Sequence, residues 1–342
     1  ILDKLVEKFR GREKVMRDSL NNYIPKSALI VRATEVSEFR NCRRKWYLSS
    51  HNGMNLEPLV TNTKLAEGIC WHAGLESYYT CGDFSAGYEK AFAEELEKLR
   101  NAIGDGIYDD EIQAQLKKQK ERDYAVFEHY KEKAATELWP CDNDFKIVGT
   151  EIRIVVPLKN EKGNRTTAWI AVRFDGIARI DGAYYILEHK YQSASSNVDN
   201  PSNLTLDLQT RIQIWALQQY LNYHNRTNPR VVGVLYNLTR KQIPGPKVKN
   251  PICGRHLITV SSKEMDIFVK DLRKDIKDMR ATIRNPEERT YNPQMHGVCS
   301  WGCAFRSICE AMNKGEDVDL LIDTLFKKRD KDIWQMLSEE MK

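Results

Sequence analysis

No run of eighteen apolar residues occurs anywhere in this 342-residue sequence, and no secretory signal opens it. The first absence excludes a membrane-spanning helix; the second leads us to expect a cytoplasmic protein. Internal repeats and low-complexity tracts are also missing, so nothing points to a solenoid or a disordered tail. Neither sign of charge dominates: 53 basic against 48 acidic side chains leave a net charge of +5, which permits a nucleic-acid partner without requiring one. Cysteine is sparse and unevenly placed. Of eight, three (Cys299, Cys303 and Cys309) crowd together near the C-terminus, a layout that reads as a metal site rather than a disulfide framework. The 41% of hydrophobic residues supply a sizeable core, as one large domain or two smaller ones.

The most informative stretch present is Arg173–Lys190, RFDGIARIDGAYYILEHK. Asp181-Gly182 is a two-residue hairpin signal between alternating runs, and such a turn sets Ile180 against Ala183. Counting outward places Asp175 opposite Glu188, with Lys190 on the same face as Glu188. Like charges directly opposite each other destabilise a sheet, so two facing carboxylates with an ammonium beside them imply a cation held between them. Ile170, Val172, Phe174, Ala178, Ile180, Tyr185 and Leu187 would form the apolar face that packs on the core.

Around this hairpin we expect a helix over residues 1–20, and a short one near 34–47 capped by Thr34 or Ser37. That second helix would end in the basic-aromatic cluster Arg43, Arg44, Lys45, Trp46 and Tyr47. The cluster is either an ordinary solvated helix end or a grip on phosphates with rings stacking on bases. Residues 65–80 read as a helix with Ile69, Leu75 and Tyr79 for the core. His72 lies on it, and taken alone it is either a structural histidine or a ligand. Residues 86–139 read as a solvated helical insertion broken near 104–108. Strands are expected at 146–158, 167–180, 183–190, 231–238 and 255–260, with helices over 206–223, 262–283 and 316–341. This order indicates a mixed α/β core with helical additions.

Asp175 followed by Glu188-His189-Lys190 resembles the D…(D/E)xK signature of the PD-(D/E)XK nuclease superfamily. EGICWH (67–72) resembles the histidine motif of its RecB-like branch, and LQTRIQIWALQQYL (208–221) resembles the QxxxY helix, with Gln209 at the glutamine and Gln213 in place of the tyrosine. Cys42, within FRNCRRKWY, and the three C-terminal cysteines match the layout of AddB-like iron–sulfur exonucleases. Two departures stand out: the first spacing is CxxxC rather than CxxC, and Ala304 replaces a frequent proline. The resemblance runs from about Val31 to Cys309 and comes nearest to phage recombination exonucleases.

That resemblance implies a restriction-endonuclease-like fold, α/β, with a mixed sheet core flanked by helices. Residues 1–30 would form an N-terminal helix. Residues 31–315 would be the nuclease domain, with the insertion at about 86–139 and the cysteine cluster closing at 299–309, and residues 316–342 a C-terminal helix. It implies metal-dependent DNA exonuclease activity, with endonuclease or nickase action, or an inactive DNA-binding scaffold, as alternatives. His72, Asp175, Glu188 and the main-chain carbonyl of His189 would hold Mg²⁺ or Mn²⁺. Lys190 would position the attacking water, and Gln209 would orient substrate or lysine. Cys42, Cys299, Cys303 and Cys309 would hold a 4Fe-4S cluster, or zinc instead. Arg43, Arg44, Lys45, Trp46 and Gln213 are the DNA-contact candidates. The expected partners are DNA and a recombination protein such as a single-strand annealing protein, in the host cytoplasm if the chain is phage-encoded.

Overall fold

The β-branched and aromatic residues concentrated between 146 and 258 build a sheet, and the amphipathic segments around them build two helical layers. A computed structural model describes residues 17–59, 63–103, 110–196, 198–199, 204–225, 229–290, 299 and 302–329. In chain order its first elements are β1 (Leu29–Arg32), α1 (Ala33–Asn41), α2 (Arg43–Ser49), β2 (Leu56–Pro58), α3 (Thr63–Cys81), α4 (Phe84–Ile103) and α5 (Asp110–Thr136). Then come β3 (Lys146–Lys159), β4 (Arg165–Ile180), β5 (Ala183–Gln192), α6 (Leu208–His224), β6 (Val231–Arg240) and β7 (Cys253–Ile258). The last are α7 (Ser262–Arg284), α8 (Pro286–Arg289), α9 (Arg306–Lys314), α10 (Asp319–Leu325) and β8 (Phe326–Lys328).

The main sheet is mixed. β4 pairs antiparallel with β3 and β5 and parallel with β1, while β6 pairs parallel with β5 and antiparallel with β7. β3 occupies one edge of β4 over most of its length. β1 (to Ala171) and β5 (from Gly176) therefore share the other edge, and the ladder lapses between them at residues 172–175. One face of the sheet packs on α1, α6 and α7 through Val36, Phe39, Ile212, Trp215, Phe268, Leu272 and Ile276. The other face carries α3, whose Tyr79 packs beside Ala178, Leu187 and Leu235. The chain thus has the α/β architecture of a mixed central sheet between helices.

Local chemistry explains the boundaries. The β4–β5 turn has φ +47° at Asp181 and +85° at Gly182, the pair of left-handed residues a two-residue hairpin needs. Asp207 caps α6 by accepting the Gln209 N–H at 3.0 Å, and Ser261 with Glu264 forms a capping box for α7. α1 begins earlier than its sequence suggests. Its cap is Arg32, whose N–H donates to the Glu35 carboxylate at 2.8 Å, not Thr34 or Ser37.

Other expectations need correction. Residues 1–16 lie outside the described residues, and the stretch that follows is a turn closed by an Arg17–Tyr23 bridge rather than helix. Helix 34–47 is two helices, because Cys42 is extended (φ −157°) and separates α1 from α2. Ile69 points to solvent with 41% of its surface exposed, while Cys70 and Trp71 take the interior. The α4–α5 pair is more than a solvated insertion: Phe84, Tyr88, Val126, Phe127 and Tyr130 are buried with Trp71 and Leu75 of α3. Each such side chain contributes about 1.5–3 kcal/mol on burial, so the pair is integral to the fold. The expected break at 104–108 is outside the described residues. So is the end of the chain from residue 330, ahead of which a helix of only seven residues leads into β8, paired with β2.

Candidate active site

The hairpin register holds from Ile180↔Ala183 to Gly176↔Leu187, and the ladder stops one residue short of Asp175 and Glu188. There the strand irregularity re-aims side chains. Phe174 and Ile177 both pack in the main core although three residues apart, so the alternation slips at Asp175-Gly176. Ala178 and Leu187 consequently pack in a different cluster from Ile170, Val172 and Phe174, contrary to the single apolar face expected. On the neighbouring strand, Glu151 takes a left-handed φ of +49°, and a register shift lies three residues before it at Val148. Bulges of this kind recur beside active sites because they turn one side chain out of the ladder. The freed Asp175 carboxylate accepts the His189 N–H at 2.8 Å and lies 3.3 Å from His72 Nδ1.

Three potential ligands converge at this point. Donor atoms of His72, Glu151 and Asp175 lie within 4.8 Å of one another, the only such group among the described residues. Two of the three were expected. Glu151, which also pairs with Arg173, was missed: a lone carboxylate in a strand carries no local signature, and only the fold brings it here. Glu188 stands outside this group in a second, adjoining set. Its Oε1 accepts Lys190 Nζ at 2.6 Å and Gln209 Nε2 at 2.8 Å, and its Oε2 accepts Gln213 Nε2 at 2.7 Å. Lys190 Nζ also reaches Gln209 Oε1 at 3.4 Å. α6 therefore presents both glutamines, one turn apart, to the carboxylate end of β5.

Electrostatics couple the two sets. Burial works against protonated His72, but the Asp175 hydrogen bond and charge, with Glu188 and Glu151, raise its pKa overall. Burial would raise Asp175 in turn, yet His72 beside it holds the carboxyl well below the usual carboxylate range. Glu188 is pushed up by burial and by Asp175, against the pull of Lys190 and Gln213. Burial disfavours charged Lys190, but Glu188 outweighs it and raises the ammonium. The His189 ring, buried and stacked on Tyr79, is lowered to about 3 by desolvation and stays neutral. Asn237 Nδ2 sits 3.3 Å from its Nδ1, and Asn237 Oδ1 in turn accepts from Arg255 at 2.5 Å. The donor set of carboxylate oxygens and one imidazole suits a hard divalent cation.

Most of the proposed DNA contacts are otherwise engaged. Trp46 is 0% exposed, edge-on to Phe39, and cannot stack on a base. Gln213 is fully buried against Glu188 and cannot reach a substrate backbone. Arg43 pairs with Asp278 at 2.9 Å and Lys45 with Glu38 at 3.0 Å. Arg44 donates to Cys309 Sγ at 3.1 Å, to Asn313 Oδ1 at 2.6 Å and to the Thr290 carbonyl at 2.9 Å. Arg43 and Arg44 bind the N-terminal helices to the C-terminal half, where Cys42, Cys299, Cys303 and Cys309 line one cavity of about 170 Å³.

Among solved structures, a provisionally named exonuclease from Eubacterium rectale is 11% identical, with a TM-score of 0.41 over 79% of this chain and 86% of its own. The protein SSO0001 is 12% identical, with a TM-score of 0.35 over 91% and 94%. At such values neither bears on the assignment. No curated protein matches the chain significantly. The sequence model of the PD-(D/E)XK nuclease superfamily, by contrast, matches residues 32–310, from the end of β1 through the whole sheet to α9. The chain belongs to the PD-(D/E)XK nuclease superfamily.

Proposed function

We propose that the protein is a divalent-metal-dependent DNA exonuclease of the RecB-like, AddB-like iron–sulfur branch, acting in recombination or phage DNA processing. The observation that carries the reading is the adjacency of the His72–Glu151–Asp175 donor group to the Glu188–Lys190–Gln209 set. His72, Asp175 and Glu188 would hold Mg²⁺ or Mn²⁺, with Glu151 as a further ligand and the His189 carbonyl completing the set. Such an ion supplies charge neutralisation at the phosphate and a more acidic bound water. The chain's own residues do the rest. Lys190, anchored by Glu188 and Gln209, places its ammonium where the attacking water and a phosphate oxygen meet. Gln209 and Gln213 fix the Glu188 carboxylate, and the His189 N–H fixes Asp175. The buried Arg255–Asn237–His189 chain holds the β5 backbone from behind.

The cysteine cavity supports the structural cluster. All four thiols line the one cavity, which supports a single group held between them, with 4Fe-4S as the preferred reading and zinc as the alternative. It would tie α2 to the C-terminal segment.

The test is digestion of end-labelled linear and covalently closed circular DNA with Mn²⁺, with EDTA, and with a Lys190→Ala variant. Linear DNA should be degraded only with metal and only by the parent protein, and circles should survive. Undiminished cleavage by Lys190→Ala would remove the catalytic assignment, and cleavage of circles would favour the endonuclease reading. Colourless protein carrying stoichiometric zinc would replace the iron–sulfur cluster.

A further inference from the structure

Two arginines are buried among the described residues, and their surroundings differ. Every side-chain nitrogen of Arg255 donates: to Asn237, to the Pro140 carbonyl and to Asp142. Arg240, the last residue of β6, keeps only 5% of its surface exposed, yet its guanidinium makes no hydrogen bond or ion pair among the described residues. Its Nε is sealed from solvent without a partner. The Glu67 carboxylate is engaged by Lys241, next in the chain, and by Arg122 instead. Buried charges are normally held by a counter-charge, because their desolvation otherwise outweighs what packing returns. A buried guanidinium without one points to a ligand that brings the negative charge.

The fold places this cation beside the candidate active site. Val234, Tyr236 and Leu238 pack in the main core towards α6, while Leu235 packs on the opposite side of the sheet. Strand alternation continues the α6 face to Arg240. In the β5–β6 ladder Lys190 lies beside Leu238, and Gln192 beside Arg240. Arg240 is therefore on the face that carries Glu188 and Lys190, one strand across and two residues on. With strands about 4.8 Å apart and about 3.3 Å per residue, its Cα lies about 8 Å from that of Lys190. Neighbouring phosphates of one nucleic-acid strand can span such a gap.

We propose that Arg240 is a phosphate-binding residue, whose guanidinium takes a phosphate group of the DNA strand next to the one that reacts at Lys190. The inference rests on the reading of the chain as a DNA nuclease. The guanidinium fork matches phosphate oxygens two at a time, and the phosphate supplies the counter-charge that the chain lacks. Holding that group fixes which bond lies over Lys190, so Arg240 sets register as well as affinity. Gln242 Oε1, also sealed without a partner two residues on, offers an acceptor to a hydroxyl or amine of the same nucleotide.

The test is Arg240→Met, which keeps an apolar stem and removes the charge. Replacing a structural arginine lowers stability; removing an unpaired buried charge raises it, so the urea midpoint of the free variant should exceed the parent's. Binding should move the other way. Fluorescence anisotropy of a fluorescein-labelled duplex in EDTA, across a sodium chloride series, should show the slope of log K against log salt flattened by about 0.9 for one lost phosphate contact. Inorganic phosphate should raise the urea midpoint of the parent more than that of the variant. Duplexes with 5′-phosphate, 3′-phosphate or hydroxyl ends distinguish the source: equal losses on all three assign an internal phosphate, and a loss confined to one phosphorylated end assigns a terminal one. A lowered urea midpoint, a parent-level salt slope or equal protection by inorganic phosphate overturns the proposal. Absence of salt-dependent binding by the parent protein would instead overturn the nuclease reading itself.

Discussion

Gln213→Leu isolates one hydrogen bond in the candidate active site. Gln213 is fully buried on α6 and donates from Nε2 to Glu188 Oε2 at 2.7 Å, while its own Oε1 has no partner. Leucine of similar volume removes both features. A hydrogen bond to a charged group is worth about 1.5–3 kcal/mol net, and an unpartnered buried acceptor costs about 1–3 kcal/mol. For folding, these two changes offset each other only in part, because leucine also leaves the buried Glu188 Oε2 without its partner, so the urea midpoint should fall modestly. For catalysis there is no offset, because only the lost bond bears on Glu188. If that carboxylate must keep its orientation while the phosphate reacts, the same 1.5–3 kcal/mol becomes a loss of roughly ten- to a hundred-fold in rate. Single-turnover digestion of end-labelled duplex at saturating Mn²⁺ measures it. Gln213→Glu should be far worse on both counts, since it buries a second carboxylate against Glu188. A Gln213→Leu enzyme within twofold of the parent, with unchanged stability, would refute the view that α6 positions Glu188.

Three further outcomes follow from groups outside the proposed ligand set. Asp123→Ala should cost about 3–5 kcal/mol in chemical denaturation, because the fully buried carboxylate accepts from Tyr88, Tyr191 and Arg122, and its loss leaves the buried Tyr88 hydroxyl unpartnered and Arg122 with Glu67 alone; a cost below about 1 kcal/mol would mean that the network is ornamental. Burial holds the His51 pKa below its ordinary value against the pull of Glu35, so its contribution to stability is full above about pH 6.5 and is lost as pH falls through the lowered folded-state value. His51→Gln should accordingly lose less stability than the parent between pH 7.5 and 5.5, as read from denaturant midpoints. Burial pushes the Cys70 thiol up to about 12, so iodoacetamide at pH 8 should leave it unlabelled in the folded protein and label it in urea, as peptide mass mapping would show.

What was legible in the sequence was whatever a local rule could reach. Asp181-Gly182 announced its own turn chemistry, and alternating strands and capped helices around it gave the α/β class. His72, Asp175, Glu188, Lys190 and Gln209 were reached through motif order, and the structure gathers them in two adjoining sets. Burial was less legible. Trp46 and Arg44 look like a basic-aromatic surface in the text, but the docking of α1 and α2 against α7 and the C-terminal segment turns Trp46 inward. Arg44 is likewise spent on Cys309, Asn313 and Thr290. No window along the chain reports that docking, because the partners lie more than two hundred residues away.

Glu151 was out of reach for a different physical reason. Register can be counted outward from a turn only while the turn is tight and the ladder regular. β4 and β5 meet both conditions as far as Gly176↔Leu187, which is why Asp175 and Glu188 could be brought to the same place on paper. β3 and β4 meet neither. Their connection runs from Asn160 to Asn164, and the register shifts once near Leu158 and again near Val148. The shift near Leu158 moves the register by two residues, so counting from the loop would set Glu151 against Arg173 instead of Asp175. The slip at Asp175-Gly176 and the left-handed Glu151 lie at the same level of the sheet, on adjoining strands. Had both strands stayed regular, Asp175 would have remained within the β4–β5 ladder and Glu151 within the β3–β4 ladder. The shift near Leu158 therefore hides Glu151 from a register count, while the separate irregularities at Glu151 and Asp175 bring two carboxylates to His72.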